Sequence, residues 1–289
     1  GVNLGAGGHS AAGVIVATGS AVSDVGEGDR VSVYQYLGCG ECSYCLSGNV
    51  KYCSQRQVHG KEADGSFADE MLTDSRNCQP IPDDLSFLVG ALMACTLVTA
   101  YQALTRVAPS GSDRLVVFGL GPLGLSTLML ARAMNAKVIG VDLSAPRLAL
   151  AKELGALATV NAMEEDVTQR VRELTDGAGG DVAIEASGAV TAQQQFMDVL
   201  GRGGRGCVIG LGSTTPSVNL TLLIGKQLTL YGSHVAPMTA YRPLVNLIKQ
   251  CQVPADKLVT HRYPLEKATE AFRHADSAST GVVAFIWPH

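Results

Sequence analysis

Three groups of residues in this sequence have the types and spacing to do chemistry. The first is Cys39, Cys42, Cys45 and Cys53, four of the eight cysteines, spaced C-x2-C-x2-C-x7-C. Four thiolates this close can complete a tetrahedral shell around Zn²⁺ with no open position, so such a site pins a loop and does not catalyse. Gly38, Gly40 and Gly48 supply the turns that let the thiols converge. An iron–sulfur cluster takes the same ligand set, although no Pro follows Cys53 here. Two disulfides are the remaining alternative, and they need an oxidising compartment. The second group is Gly119-Leu120-Gly121-Pro122-Leu123-Gly124. In a G-x-G-x-x-G turn the first Gly allows a tight strand-to-helix turn, the second lets the backbone approach a pyrophosphate, and the third lets helix pack on strand. Asp142, 18 residues after Gly124, fits the acidic residue that such sites place ~20 positions on, against the adenosine ribose hydroxyls. The third group is weaker. His9 follows Gly7-Gly8, and Cys95 sits in an apolar stretch. Taken locally, the histidine is an ordinary surface or core residue, and the cysteine is core packing.

These residues need elements to position them. The apolar run Leu115–Phe118 precedes the glycine turn, and Pro122–Met134 has helical periodicity after it. From Asp113 onward short apolar strands alternate with helices. The strands are predicted at Leu115–Phe118, Val138–Val141, Ala158–Val160, Val182–Ala186, Gly206–Gly210 and Gln227–Gly232. This alternation predicts an α/β fold, a doubly wound parallel sheet covered on both faces, with ligands at the carboxyl ends of the strands. Ser187, Gly210, Leu211 and Ser233 fall at such ends and are candidates to line the nicotinamide half of a dinucleotide site. Before this region, short strands at Ala12–Ala17 and Arg30–Tyr34 with glycine turns predict a β-rich sandwich or small barrel. A helix is expected to start at Asp83-Asp84-Leu85-Ser86 and to run through Cys95 towards Pro109. The final run Gly281–Trp287 predicts a closing strand that returns to the first domain.

Composition narrows the function classes. A chain of 289 residues, 46% hydrophobic and 17% charged, has ample core and suggests two domains on the usual prior of ~150 residues each. The net charge of −4, without long runs of either sign, argues against a general nucleic-acid or anionic-membrane binder. No apolar stretch reaches the ~18 residues that span a bilayer; the longest, around Leu85 to Ala103, is broken by Gly90, Thr96 and Thr99. No signal peptide follows Gly1, and the crowded cysteines point to metal in a reducing compartment, so the expected location is cytoplasmic.

In this order, His9, the Cys39/Cys42/Cys45/Cys53 group, Cys95-Thr96-Leu97-Val98-Thr99-Ala100-Tyr101, the Gly119–Gly124 turn and Asp142 resemble the zinc-containing medium-chain alcohol dehydrogenases. The resemblance covers nearly the whole chain. It implies a GroES-like β-rich catalytic domain over 1–97 and 235–289, a Rossmann domain over 98–234, and an active site in the cleft between them. It also implies two zinc ions, one structural in the four-cysteine lobe and one catalytic, with His9 and Cys95 as catalytic ligands. Gly8-His9-Ser10 corresponds to the family's Gly-His-Glu. Thr99 falls where the family contacts the nicotinamide, Arg147 could flank the adenine, and Asp142 matches the acid that selects NAD(H) over NADP(H). The implied activity is hydride transfer between NAD(H) and an alcohol or carbonyl substrate, in a homodimer or homotetramer paired through the sheet edge near Gln227–His234.

Two departures qualify the resemblance. The family carries a further segment before Gly-His-Glu, with a first catalytic cysteine and a hydroxyl that relays protons, and nothing here matches it. Ser10 replaces the family's Glu and is a candidate substitute in the relay. These departures keep open a catalytically impaired cofactor-binding member of the family; a zinc-free quinone or enoyl reductase is the other alternative.

Overall fold

The computed structural model describes residues 6–212, 217–277 and 281–287. Its larger sheet is built from β6 (Arg114–Phe118), β7 (Lys137–Asp142), β8 (Ala158–Asn161), β9 (Gly180–Glu185), β10 (Leu200–Val208) and β11 (Thr229–Gly232). All neighbours are parallel, in the order β11-β10-β9-β6-β7-β8. Side chains alternate across a strand. Thus Leu115, Val117, Val138, Val182 and Ile184 enter one core, and Val116, Phe118, Ile139, Val141 and Ala183 enter the other. The first face is covered by helices carrying Leu97, Leu104, Leu125 and Leu128. The second is covered by helices carrying Val167, Val171, Phe196 and Met197. Burial on both faces is why these strands read as apolar runs.

The N-terminal region forms a second unit of structure. Strands β1 (Ala11–Val14), β2 (Arg30–Val33) and β5 (Cys78–Pro80) make an antiparallel sheet, with β2 central. The short pair β3 (Tyr36–Leu37) and β4 (Gln57–Val58) closes the base of the cysteine lobe. That lobe holds one short α-helix, α1 (Ser43–Leu46), with no buried residue, and a 3-10 turn at Val50–Tyr52 that buries Val50 and Lys51. β1 is shorter than its apolar run, ending at Val14.

The expected single helix before the large sheet is two: α2 (Phe87–Ala94) and α3 (Thr96–Val107), bent by 54° at Cys95, whose backbone is non-helical at φ −140°, ψ −68°. The start also lies further on than the acidic pair suggested. Ser86 caps α2 by accepting from the Val89 N–H at 3.2 Å, which leaves Asp83 and Asp84 outside the helix. Among the described residues no single helix is long and apolar enough to cross a membrane.

Helices α4 (Pro122–Ala133), α5 (Ala145–Glu153), α6 (Val167–Leu174), α7 (Val190–Asp198) and α8 (Leu220–Lys226) connect the parallel strands. After β11 come α9 (Tyr241–Gln250), β12 (Val259–Tyr263), α10 (Ala268–Asp276) and β13 (Val282–Phe285), with β12 and β13 parallel. The chain end does return to the N-terminal unit. Phe67 packs edge-to-face with Phe272 and Phe285, with ring centroids 5.7 and 5.0 Å away, and Trp287 Nε1 donates to Asp69 at 2.8 Å.

Candidate active site and metal centres

The four-cysteine lobe gathers all of its ligands from one short stretch of chain. The ligand atoms of Cys39, Cys42, Cys45 and Cys53 all lie within 4.8 Å of one another, and Cys39 and Cys45 Sγ are 3.9 Å apart. Four sulfurs at about 2.3 Å from a tetrahedral zinc lie about 3.8 Å from each other, so these residues fit the ion. Backbone N–H groups of Glu41 and Cys42 pull the Cys39 thiol down to about 6, towards the thiolate that a metal needs. Desolvation pushes Cys45 the other way, to about 12. Arg76 adds positive charge beside these sulfurs; its guanidinium is gripped by Asp74 through Nε (2.8 Å) and Nη2 (2.6 Å). No cysteine in the chain is in a disulfide, which removes that alternative.

His9 and Cys95 are brought together by the fold. His9 Nε2 lies 3.3 Å from Cys95 Sγ across 86 residues. Two interactions place them. The segment before His9 is hydrogen-bonded to the 65–67 loop: Gly65 N donates to Ala6 O (2.6 Å), Phe67 N to Gly7 O (2.8 Å) and Ser66 N to Gly8 O (3.1 Å). Gly8 turns at φ +91°, and a Cβ there would meet Ser66 Oγ at 2.6 Å, so the turn that aims His9 requires glycine. On the other side, the break between α2 and α3 swings Cys95 out of the helix ladder. Burial pushes the Cys95 thiol up, and the polar side chains of Gln35, Ser10 and Thr99 nearby act in the other direction. The His9 ring is largely open to the cleft, yet the protein beneath it is enough to lower its pKa. A nitrogen and a sulfur sharing a tetrahedral zinc sit about 3.6 Å apart at ordinary bond lengths, so the pair fits two corners of an open zinc site. Among the described residues no third His, Cys, Asp or Glu ligand atom joins them. A cavity of about 1530 Å³ opens beside the pair and runs across β1 towards Phe67, Phe87 and Trp287.

The dinucleotide turn lies at the carboxyl end of β6. Gly119 takes φ +82°, and a Cβ there would lie 2.6 Å from that of Ser187; a Cβ on Gly124 would sit 1.7 Å from Gly119 O. Gly121 is different: a Cβ there would meet nothing nearer than the Arg147 guanidinium at 3.9 Å. It faces open space, where a phosphate can approach. Pro122 and Leu123 open α4, and Gly121 gives that helix no side-chain cap, so its first-turn N–H groups are left for an anion. Asp142 ends β7. It accepts from Leu120 N at 2.6 Å, and from Leu143 N and Ser144 N at 2.8 Å each. Its carboxylate is thereby fixed against the glycine turn.

Beside the glycine turn, at the end of β9, Ser187 N donates to the fully buried Glu185 at 2.8 Å. Gly210 N bonds Glu185 O at 2.9 Å, and Leu211 beside it is exposed. Two hydroxyls, Thr99 Oγ1 and Ser233 Oγ, are buried. Buried polar groups are ordinarily hydrogen-bonded, and these hydroxyls, with Gln35 Nε2 and Tyr241 Oη among others, are left without a partner. The sequence reading did not single out Gln35, which reaches towards Cys95 from the turn after β2. A polar side chain between Tyr34 and Tyr36, in an otherwise buried run, was the available signal.

Both units of structure resemble known domains. The alcohol dehydrogenase GroES-like domain model matches residues 5–83, and the zinc-binding dehydrogenase model matches 122–250. A sorbitol dehydrogenase of Halalkalibacterium halodurans is 34% identical over 97% of this chain and 82% of its own. A D-arabitol-phosphate dehydrogenase of Enterococcus avium is 32% identical over 92% of this chain and 76% of its own. The solved structure of an NAD-dependent alcohol dehydrogenase superposes with a TM-score of 0.88 at 27% identity, over 99% of this chain and 84% of that one.

Proposed function

The chain belongs to the zinc-containing medium-chain alcohol dehydrogenase family, a family of oxidoreductases, and from that premise we propose that it moves a hydride between NAD(H) and a small alcohol or polyol and the matching carbonyl compound. The observation that carries this reading is the meeting of His9 and Cys95 at 3.3 Å beside the orphaned Thr99 hydroxyl. The Cys39/Cys42/Cys45/Cys53 lobe holds the structural zinc, and His9 and Cys95 hold the catalytic one. When bound, zinc supplies Lewis acidity towards a substrate oxygen and the nicotinamide supplies the hydride acceptor.

The chain's own residues do the rest. The Gly119–Gly124 backbone and the uncapped start of α4 receive the pyrophosphate. Asp142 accepts from the adenosine ribose hydroxyls and repels a 2′-phosphate, which favours NAD(H); Arg147 borders the same space. Thr99 and Ser233 hydrogen-bond the carboxamide end of the cofactor, with Ser187, Gly210 and Leu211 shaping that wall. Ser10, which follows His9 and lies near Cys95, offers the first step of a proton path out of the cleft. Residues 1–97 and 235–289 form the catalytic domain and 98–234 the cofactor domain. The exposed edge of β11 supports a homodimer or homotetramer, and a four-cysteine metal lobe fits a reducing, cytoplasmic setting.

The test is NAD⁺- and NADP⁺-linked oxidation across simple alcohols, diols, polyols and polyol phosphates, with NADH binding measured in parallel. Turnover with NAD⁺ on a member of the panel is expected. Tight NADH binding without any turnover would instead select the impaired member of the family, a reading favoured by the two-cornered ligand set at His9 and Cys95.

A further inference from the structure

Lys51 is a buried cation that the chemistry above does not use. It sits inside the cysteine lobe, two residues before Cys53, and only 5% of it is exposed. Its ammonium donates to the carbonyls of His234 at 3.1 Å and Val235 at 2.9 Å, 183 and 184 residues further along the chain. Those carbonyls belong to the turn after β11, directly following Ser233 and its orphaned hydroxyl. Val235 takes φ +47° in that turn. This is the left-handed region, which a β-branched side chain seldom occupies unless its surroundings impose it.

The same turn is gripped from the same side at other points. Tyr34 Oη donates to Ala236 O at 2.8 Å, and Met238 N donates to Gly48 O at 2.9 Å. Gly48 is itself in the lobe, between Cys45 and Cys53. The His234 ring lies 6.4 Å from that of Tyr36, which in turn senses the charge of Cys95. Burial, and then the positive charge of Arg106, lower the Lys51 pKa. A buried ammonium costs free energy unless its protons are well accepted, and both carbonyls serve that purpose.

We infer that Lys51 is a positioning residue: it draws the His234 and Val235 carbonyls to one point, holds Val235 left-handed, and so sets Ser233 at the nicotinamide end of the cleft. The cysteine lobe is then the base on which the cofactor's reactive end is registered, as well as a staple for its own loop. This rests on the reading that Ser233 borders the nicotinamide.

The experiment uses the full zinc-loaded chain, with NADH and ADP-ribose as probes; the second lacks the nicotinamide. Lys51→Met keeps the buried stem and removes the donors. Its zinc content and ADP-ribose affinity should match the parent, while NADH binds about tenfold more weakly. Glycine adopts the left-handed conformation freely. In a Val235→Gly background, therefore, the clamp is no longer needed, and Lys51→Met should weaken NADH by no more than about twofold. If Lys51→Met does not fold, Lys51→Gln in both backgrounds reads the same coupling. Unchanged NADH affinity, equal losses in both backgrounds, or an equal loss for ADP-ribose would each overturn the clamp. A parent protein that binds neither probe would overturn the cofactor reading, and this inference with it.

Discussion

The cysteine lobe and the His9–Cys95 pair solve the same problem, gathering metal donors, by opposite means. The lobe draws all of its ligands from Cys39 to Cys53, and glycine turns do the folding. Its packing is thin: Val50 and Cys53 are buried, but Tyr44, Leu46 and Tyr52 are exposed, so the metal stands in for much of the packing. The pair is the reverse. Its donors are 86 residues apart, and their meeting is a product of backbone hydrogen bonds to the Gly65–Phe67 loop and of the bend at Cys95. A locally encoded site needs its metal to hold its shape. A site assembled by the fold already has its shape, and keeps its donors exposed to the cleft for chemistry.

The largest expected effect separates the two directly. His9→Ala should abolish turnover while leaving lobe zinc and NADH binding in place. A Lewis acid contributes several kcal/mol, so at about 1.4 kcal/mol per decade the loss should be roughly 10³-fold or more. Steady-state rates and zinc content measure it, and surviving turnover would remove His9 from the site. Next is Cys42→Ser, which should release the lobe metal and loosen a segment with little packing of its own. A loss of about 2–3 kcal/mol would lower the melting temperature by on the order of 5–10 °C in a chain of this size. An unchanged melting curve with zinc lost would show that the lobe does not depend on its metal. Smaller still is Asp142→Gly. Removing the carboxylate beside Leu120 N should raise the NADP⁺-to-NAD⁺ preference about tenfold, a shift near 1.4 kcal/mol, read from kcat/KM ratios. A constant ratio would mean that Asp142 serves the turn alone, through its backbone bonds.

The same contrast governs what the sequence could reveal. The lobe, the glycine turn and the six strands are legible because each is a short-range pattern: fixed cysteine spacing, fixed glycine spacing, and apolar runs bounded by turns. The His9–Cys95 meeting is not, since nothing in either local window refers to the other; it entered only through the order of motifs along the chain. The bend at Cys95 is hidden because the apolar run from Leu85 to Leu104 looks the same whether one helix or two pass through it. The start of α2 was misplaced for a related reason: acidic residues favour a first helical turn, but the Ser86 hydroxyl took the cap. Lys51 carries no local signal in the sequence. Its position between Val50 and Tyr52 is only informative once the turn after β11 is seen to lie within its reach.

The most direct test of the two-centre account is zinc per chain in the Cys95→Ser variant, measured alongside NADH binding and turnover. The account predicts that the lobe zinc stays at one per chain, that NADH binds as in the parent, and that turnover is lost. Loss of the lobe zinc, or turnover that persists, would contradict it.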